Sequence, residues 1–296
     1  RIIFSWLQVI KDFKSIHSKI TLEDLKDYKA VEVKPLEASL PGVKGYKILT
    51  TPPPAGGAAL INILNILNGF NFSADDMRER PILTYHRMIE AFNFVAAKET
   101  YLADPRFSDK TDEVGNTFLL SCGTVYNAVV TRPKKVTEIF AAYVKFPPKE
   151  TRFTLFSSFG SKMLSTELGI IYNDQLWDAV NLWVNEFNLE TDSLKPRKRP
   201  MSLASPSIIT DGDGNVRMVI GAAGGKYIAT ALSQVLMNYF WFGDNLKDAV
   251  SKPRLHSQLF PNMVLVEPNF PKKYIKALKG YGHKKITDDT TLFTGE

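Results

Sequence analysis

The apolar positions of this chain fall into a few runs of recognisable period, and these runs predict most of the larger elements. Residues 5–30 read as helical, with a fresh turn at Leu22-Glu23-Asp24-Leu25, where Thr21 followed by Asp24 has the spacing of an N-cap. Tyr46-Lys47-Ile48-Leu49-Thr50 reads as a strand. Pro52-Pro53-Pro54-Ala55-Gly56-Gly57 is a rigid turn opening a helix. Leu60, Ile61, Ile63, Leu64, Ile66 and Leu67 cover nearly the whole circumference of that helix, so it belongs in the interior. A second helix spans 84–102, with Met88, Ile89, Phe92, Val95 and Ala96 on one side, and ends at Asp104-Pro105. Residues 108–150 show no clear period and contain the basic run Arg132-Pro133-Lys134-Lys135.

From 151 onward the runs shorten. Phe153 to Phe156 and Gly169-Ile170-Ile171-Tyr172 read as strands, 175–188 fits either helix or loop, and Lys195-Pro196-Arg197-Lys198-Arg199-Pro200 reads as a basic linker. Ile208-Ile209-Thr210, the turn formers Asp211-Gly212-Asp213-Gly214, and Val216-Arg217-Met218-Val219-Ile220 form a hairpin signal. Gly221-Ala222-Ala223-Gly224-Gly225 then leads into a helix across 227–240. Strands followed by long helices imply a layered α/β structure. The chain has no internal repeat.

Composition narrows the classes. With 296 residues, 44% hydrophobic and 23% charged, the chain can build one large domain or two small ones, with a sizeable core. The net charge of +6 is spread among mixed acidic and basic residues, without a stripe or motif for nucleic acid, so no nucleic-acid partner is expected. The lone Cys122 rules out an intrachain disulfide and a cysteine metal site. His17, His86, His256 and His283 show no ligand spacing, so neither a metal nor another cofactor is expected. No run of about 18 apolar residues is present, so no membrane span is expected. The chain begins at Arg1 and its first residues lack a signal-peptide layout. Asn71-Phe72-Ser73 is a glycosylation sequon on an expected surface turn after Asn68-Gly69, usable in a secretory compartment.

Several blocks, in order, resemble the gamma-glutamyltransferase (glutathione hydrolase) family. They are Pro52-Pro53-Pro54-Ala55-Gly56-Gly57-Ala58, Tyr85-His86-Arg87-Met88-Ile89-Glu90-Ala91-Phe92, Ala103-Asp104-Pro105-Arg106-Phe107, and Phe159-Gly160-Ser161-Lys162 followed by Gly169-Ile170-Ile171-Tyr172-Asn173. Arg199-Pro200-Met201-Ser202, Gly221-Ala222-Ala223-Gly224-Gly225 and Pro253-Arg254-Leu255-His256 complete the series. The resemblance covers roughly residues 19 to 290. It implies an α/β fold of the N-terminal-nucleophile hydrolase type, an αββα sandwich. That sandwich is partial, because the family's upstream half, with its carboxylate-binding arginine, precedes the start of this chain. The chain is then one domain over 1–296, with 1–130 similar to the C-terminal half of the family's large subunit and 137–296 similar to the small subunit. The family cuts itself before a threonine, whose hydroxyl and new amine act as nucleophile and base, while a pair of glycine amides holds the oxyanion.

Carried over residue by residue, the resemblance makes Gly224 and Gly225 the oxyanion pair, followed here by Lys226. The nucleophile position falls on Thr137, inside Lys134-Lys135-Val136-Thr137-Glu138-Ile139. There lysines and Val136 replace glycines, and Ile139 replaces a histidine. Thr117, in Gly115-Asn116-Thr117, resembles the motif but lies at the wrong spacing. Thr154 matches a second, supporting threonine, and Phe156 stands where an asparagine is expected. Asp178 keeps one acid of the pair that grips the donor's α-amine, while Gln175 replaces the other. Ser202 matches the first of two serines on the donor carboxylate, and Leu203 replaces the second. The leading expectation is a degenerate family member without significant catalysis that binds glutathione or another gamma-glutamyl small molecule weakly. The alternatives are an active glutathione hydrolase using Thr137, and an interaction protein built on the same scaffold. The family's habit implies an extracellular location.

Overall fold

The structure, a computed structural model, describes residues 2–99, 101–108, 140–143, 163–173, 175, 193–258 and 261–288. In chain order the elements are α1 (Ile2–Ser15), α2 (Leu22–Asp27), β1 (Leu36–Ser39), β2 (Lys47–Thr50), α3 (Gly57–Asn68), α4 (Ala74–Glu79) and α5 (Pro81–Glu99). There follow β3 (Phe140–Tyr143), β4 (Leu164–Ser165), β5 (Ile170–Ile171), β6 (Ser207–Thr210), β7 (Val216–Ala223) and α6 (Ile228–Phe240). The last are α7 (Leu246–Ser251), β8 (Leu255–Ser257), β9 (Val264–Val266), α8 (Lys272–Gly280) and β10 (Ile286–Asp288).

The main sheet has the order β1-β2-β6-β7-β3, antiparallel throughout. Its register explains its faces. Ile48 lies opposite Ile209, and Ile209 opposite Met218, and all three are buried. The row Thr50, Ser207 and Ile220 lies on the same inner face. The alternate row Leu49, Ile208 and Val219 points the other way and is only half-buried, as period-two alternation requires. Helix α6 packs on β7 and β3 and against α3, and α3 packs on α5. The fully buried side chains of α3 (Leu60, Ile61, Ile63, Leu64 and Leu67) lock with Met88, Ile89 and Phe92 of α5 into one core. A second, three-stranded sheet, β10-β9-β8, meets α5 and α6 through β8.

Among the described residues, the expected αββα sandwich therefore shows one five-stranded sheet backed by helices on its inner face, with a small sheet beyond them. Other expectations need correction. The helix over 5–30 is two helices. His17 at φ 57° breaks the first, and Thr21 starts the second by capping it, its amide donating to Asp24 Oδ2 and its hydroxyl accepting from the Asp24 amide. The helix expected over 84–102 begins at Pro81, a residue suited to a first turn, and stops at Glu99. The strand over 169–172 shrinks to Ile170–Ile171. The hairpin holds, its turn fixed by Asp211 Oδ1, which accepts from the amides of Asp213 and Asn215. Residues 153–156 and all but 175 of 175–188 lie outside the described residues.

Candidate functional site

Strand β7 continues to Ala223, beyond the expected strand, and delivers the chain to two glycines in conformations that side-chain-bearing residues rarely adopt. Gly224 has φ 128° and Gly225 has φ 58°. A single 3₁₀ turn, Gly225–Tyr227, then opens α6. Ala223, Gly224 and Gly225 are exposed, and among the described residues a methyl group built on Gly225 would meet nothing within 4 Å. Backbone amides at the start of a helix carry partial positive charge and lack partners within the helix. Amides in open space at that place suit an anionic oxygen.

Ser202 lies in the segment that leads into β6. Its amide donates to Pro54 O at 2.9 Å, and its Oγ accepts from the Ala204 amide at 3.2 Å. The hydroxyl proton of Ser202, on a half-buried side chain, remains for donation. Leu203 is 1% exposed, a buried side chain. Because β6 and β7 are antiparallel with Ser207 opposite Ile220, Ser202 and the Gly224-Gly225 pair sit at the same end of the sheet, away from the Asp211–Asn215 turn. Strand β3 opens at that end too, since Phe140 pairs with Ala223. Thr137, Thr154 and Asp178, with Thr117, lie outside the described residues. Gln175 is described: its amide donates to Asn173 Oδ1 at 3.2 Å. Asn71 is exposed at φ 49° just beyond α3, a surface turn as expected.

Two supports of this end of the sheet were not visible as such in the sequence. The first is Asp104, whose side chain is fully buried. Arg106 grips it from two residues away, with Nε at 3.1 Å and NH2 at 2.6 Å. Arg199 donates to it from its amide at 2.8 Å and from NH2 at 3.1 Å. Burial alone would raise the Asp104 pKa, but the hydrogen bonds from Arg106 and Arg199 outweigh it and hold the carboxyl well below its usual range. One buried carboxylate thereby ties the exit of α5 to the segment that carries Ser202. The second support is His256 on β8, beneath the start of α6. Its ring meets Tyr227 edge-on at 5.0 Å, and its Nε2 lies 3.2 Å from Gln258 Oε1, an acceptor that assigns the proton to Nε2. Burial, reinforced by the Lys226 ammonium, pushes this imidazole well below its ordinary value, so it is neutral. The sequence also gave no sign that His86 and His283 meet, although their ring nitrogens lie 2.9 Å apart. No helix among the described residues is long and apolar enough to cross a membrane.

Known proteins resemble this chain over most of its length. The gamma-glutamyltranspeptidase family model matches residues 7–122 and 153–295. Scoloptoxin SSD14 of Scolopendra dehaani is 31% identical over 93% of this chain and 51% of its own length. The glutathione hydrolase proenzyme of Escherichia coli K12 is 29% identical over 94% of this chain and 51% of its own. The chain thus spans about half the length of the curated relatives it matches. Among solved structures, cephalosporin acylase from Bacillus halodurans superposes with a TM-score of 0.67 at 23% identity, covering 97% of this chain and 52% of that one, a likeness of fold. The fold is mixed α/β of the N-terminal-nucleophile hydrolase type, and with a family model matched over most of its length the chain belongs to the gamma-glutamyltransferase family.

Proposed function

We propose that the protein is a degenerate gamma-glutamyltransferase-like protein without significant catalysis, which binds glutathione or related gamma-glutamyl compounds weakly. The observation that carries this reading is the pair Ser202-Leu203. The first residue keeps a hydroxyl at the sheet end that holds Gly224 and Gly225, while the second, where the family places another serine, is a buried leucine, 1% exposed. The donor carboxylate loses a partner there, and Gln175 in place of an acid removes another from its amine. Each lost charged hydrogen bond is worth roughly 1.5–3 kcal/mol, so two weaken binding about a hundredfold or more. Val136 and two lysines before Thr137 deny the scissile peptide the conformational freedom that glycines supply.

One observation supports the placement of Thr137 on which the rival reading, an active hydrolase, depends. Strand β3 starts three residues after Thr137 in the sequence, and its first residue pairs with Ala223, next to the glycine pair. That agrees with Thr137 as the counterpart of the nucleophile and leaves its surroundings as the reason for inactivity. The half-buried row Leu49, Ile208 and Val219 supports a second sheet on that face, as the αββα sandwich has. The reading includes a secreted protein with glycan on Asn71. The test is an intact-mass measurement on the purified chain together with hydrolysis of a gamma-glutamyl anilide. An uncut chain with turnover at background, and millimolar glutathione affinity lost in Ser202→Ala, is the expected result. A new terminus at Thr137, with turnover near 1 per second or above that vanishes in Thr137→Ala, overturns it.

A further inference from the structure

We propose that His86, Glu90 and His283 form a binding site for one divalent cation of the zinc class, which clamps α5 to the turn after α8. His86 and Glu90 stand four residues apart on α5, so their side chains share one face of the helix. His283 arrives from far along the chain, in the turn that follows Lys272–Gly280. The same three atoms define all the contacts. His86 Nδ1 lies 2.9 Å from His283 Nε2, His86 Nδ1 lies 3.7 Å from Glu90 Oε1, and His283 Nε2 lies 3.8 Å from Glu90 Oε1.

A hydrogen-bonded cluster does not account for this triangle. One proton can bridge the two nitrogens, but the carboxylate oxygen is too far from both for a hydrogen bond. It sits almost equidistant from them instead, as a third ligand around a common centre would. The point equidistant from atoms at these separations lies about 2.0 Å from each, which is the bond length of zinc to imidazole nitrogen and carboxylate oxygen. Ligand atoms at such bond lengths are separated by about 3.3 Å in a tetrahedron and about 3.6 Å in a trigonal plane, and the observed edges straddle both values. Two imidazoles and one carboxylate are a donor set for a borderline cation rather than for calcium or magnesium, which take oxygen. Glu90 and His283 are buried, while His86 is partly exposed beneath the Tyr281 ring at 4.6 Å, so one side of the triangle is open to a water as a further ligand. The site joins elements that already pack together, α5 and α8, so its effect is to hold them.

The test uses the untagged full chain, stripped with a chelator and titrated with Zn²⁺ by calorimetry and with Co²⁺ by visible absorption. Expected is one equivalent bound, cobalt bands showing nitrogen and oxygen ligands, and a thermal midpoint raised by roughly 5 °C at a hundredfold excess over Kd. His86→Ala, at a partly exposed position, and Glu90→Gln should each weaken binding by more than about a hundredfold, the upper end of what losing a mere supporting partner costs. No binding to the wild-type chain at about 1 mM metal overturns the proposal. So does binding that persists undiminished in both variants.

Discussion

Two strand-to-helix junctions at one end of the main sheet use paired glycines for opposite purposes. Between β2 and α3, Gly56 and Gly57 are there because nothing larger fits. A methyl on Gly56 would meet the Leu203 backbone at 2.6–2.8 Å, and one on Gly57 would meet Thr51 O at 2.2 Å. The loop is welded to the 202–206 segment: the Gly56 amide and the Thr51 hydroxyl both donate to Ala204 O, and the Thr50 hydroxyl donates to Pro206 O. Between β7 and α6, Gly224 and Gly225 are there because of their backbone angles, and among the described residues the space around Gly225 is open. The closed junction builds the core, and the open one leaves its backbone exposed. Residue type alone does not separate these uses; what surrounds the missing Cβ does.

Substitutions can break this contrast in graded steps. Gly57→Ala should cost the most, about 3 kcal/mol or more, because the added carbon meets backbone that cannot rotate away. Chemical denaturation should show the midpoint falling at constant slope. Asp104→Ala comes next, at about 3 kcal/mol, because it frees the Arg199 segment that backs the closed junction. Its cost also has a pH signature. The folded carboxyl titrates below its unfolded value, so its contribution is complete above about pH 4 and is lost as the pH falls further. The wild-type and Asp104→Ala stability curves should therefore converge on acidification; parallel curves down to pH 2 would show that the ion pairs contribute nothing.

Gly225→Ala should cost only about 1 kcal/mol, the strain of a left-handed alanine, since no atom of the described residues opposes the methyl. Glutathione binding, measured by ligand-detected NMR, should nonetheless fall at least tenfold; unchanged binding would remove the open junction from the site. The smallest effect belongs to Gly221→Ala on β7. There the φ is ordinary and no neighbour among the described residues lies within 4 Å, so thermal unfolding should show no loss or a gain of about 0.5 kcal/mol.

Much of this was legible from pattern. The all-round apolar run of α3, the stripe of α5, the Asp211–Gly214 hairpin and the helix after Gly225 each carry a local signal strong enough to survive folding. The short elements after residue 250 were not, because strands of three residues such as Leu255–Ser257 and Val264–Val266 have no period to read and exist through their pairing. Asp104 was legible as a helix exit but not as a hub, since its second partner, Arg199, lies 95 positions away.

By itself, then, the sequence determined which segments are helix or strand where periodicity and turn chemistry agree, and which family the chain belongs to, because ordered blocks of residues are one-dimensional information. Only the tertiary structure decided which glycines are packed and which are open, that Leu203 is buried beside Ser202, and that His86, Glu90 and His283 converge. Those properties depend on the distances between segments far apart in the chain, which sheet register and helix packing set, and no local run of residues records them.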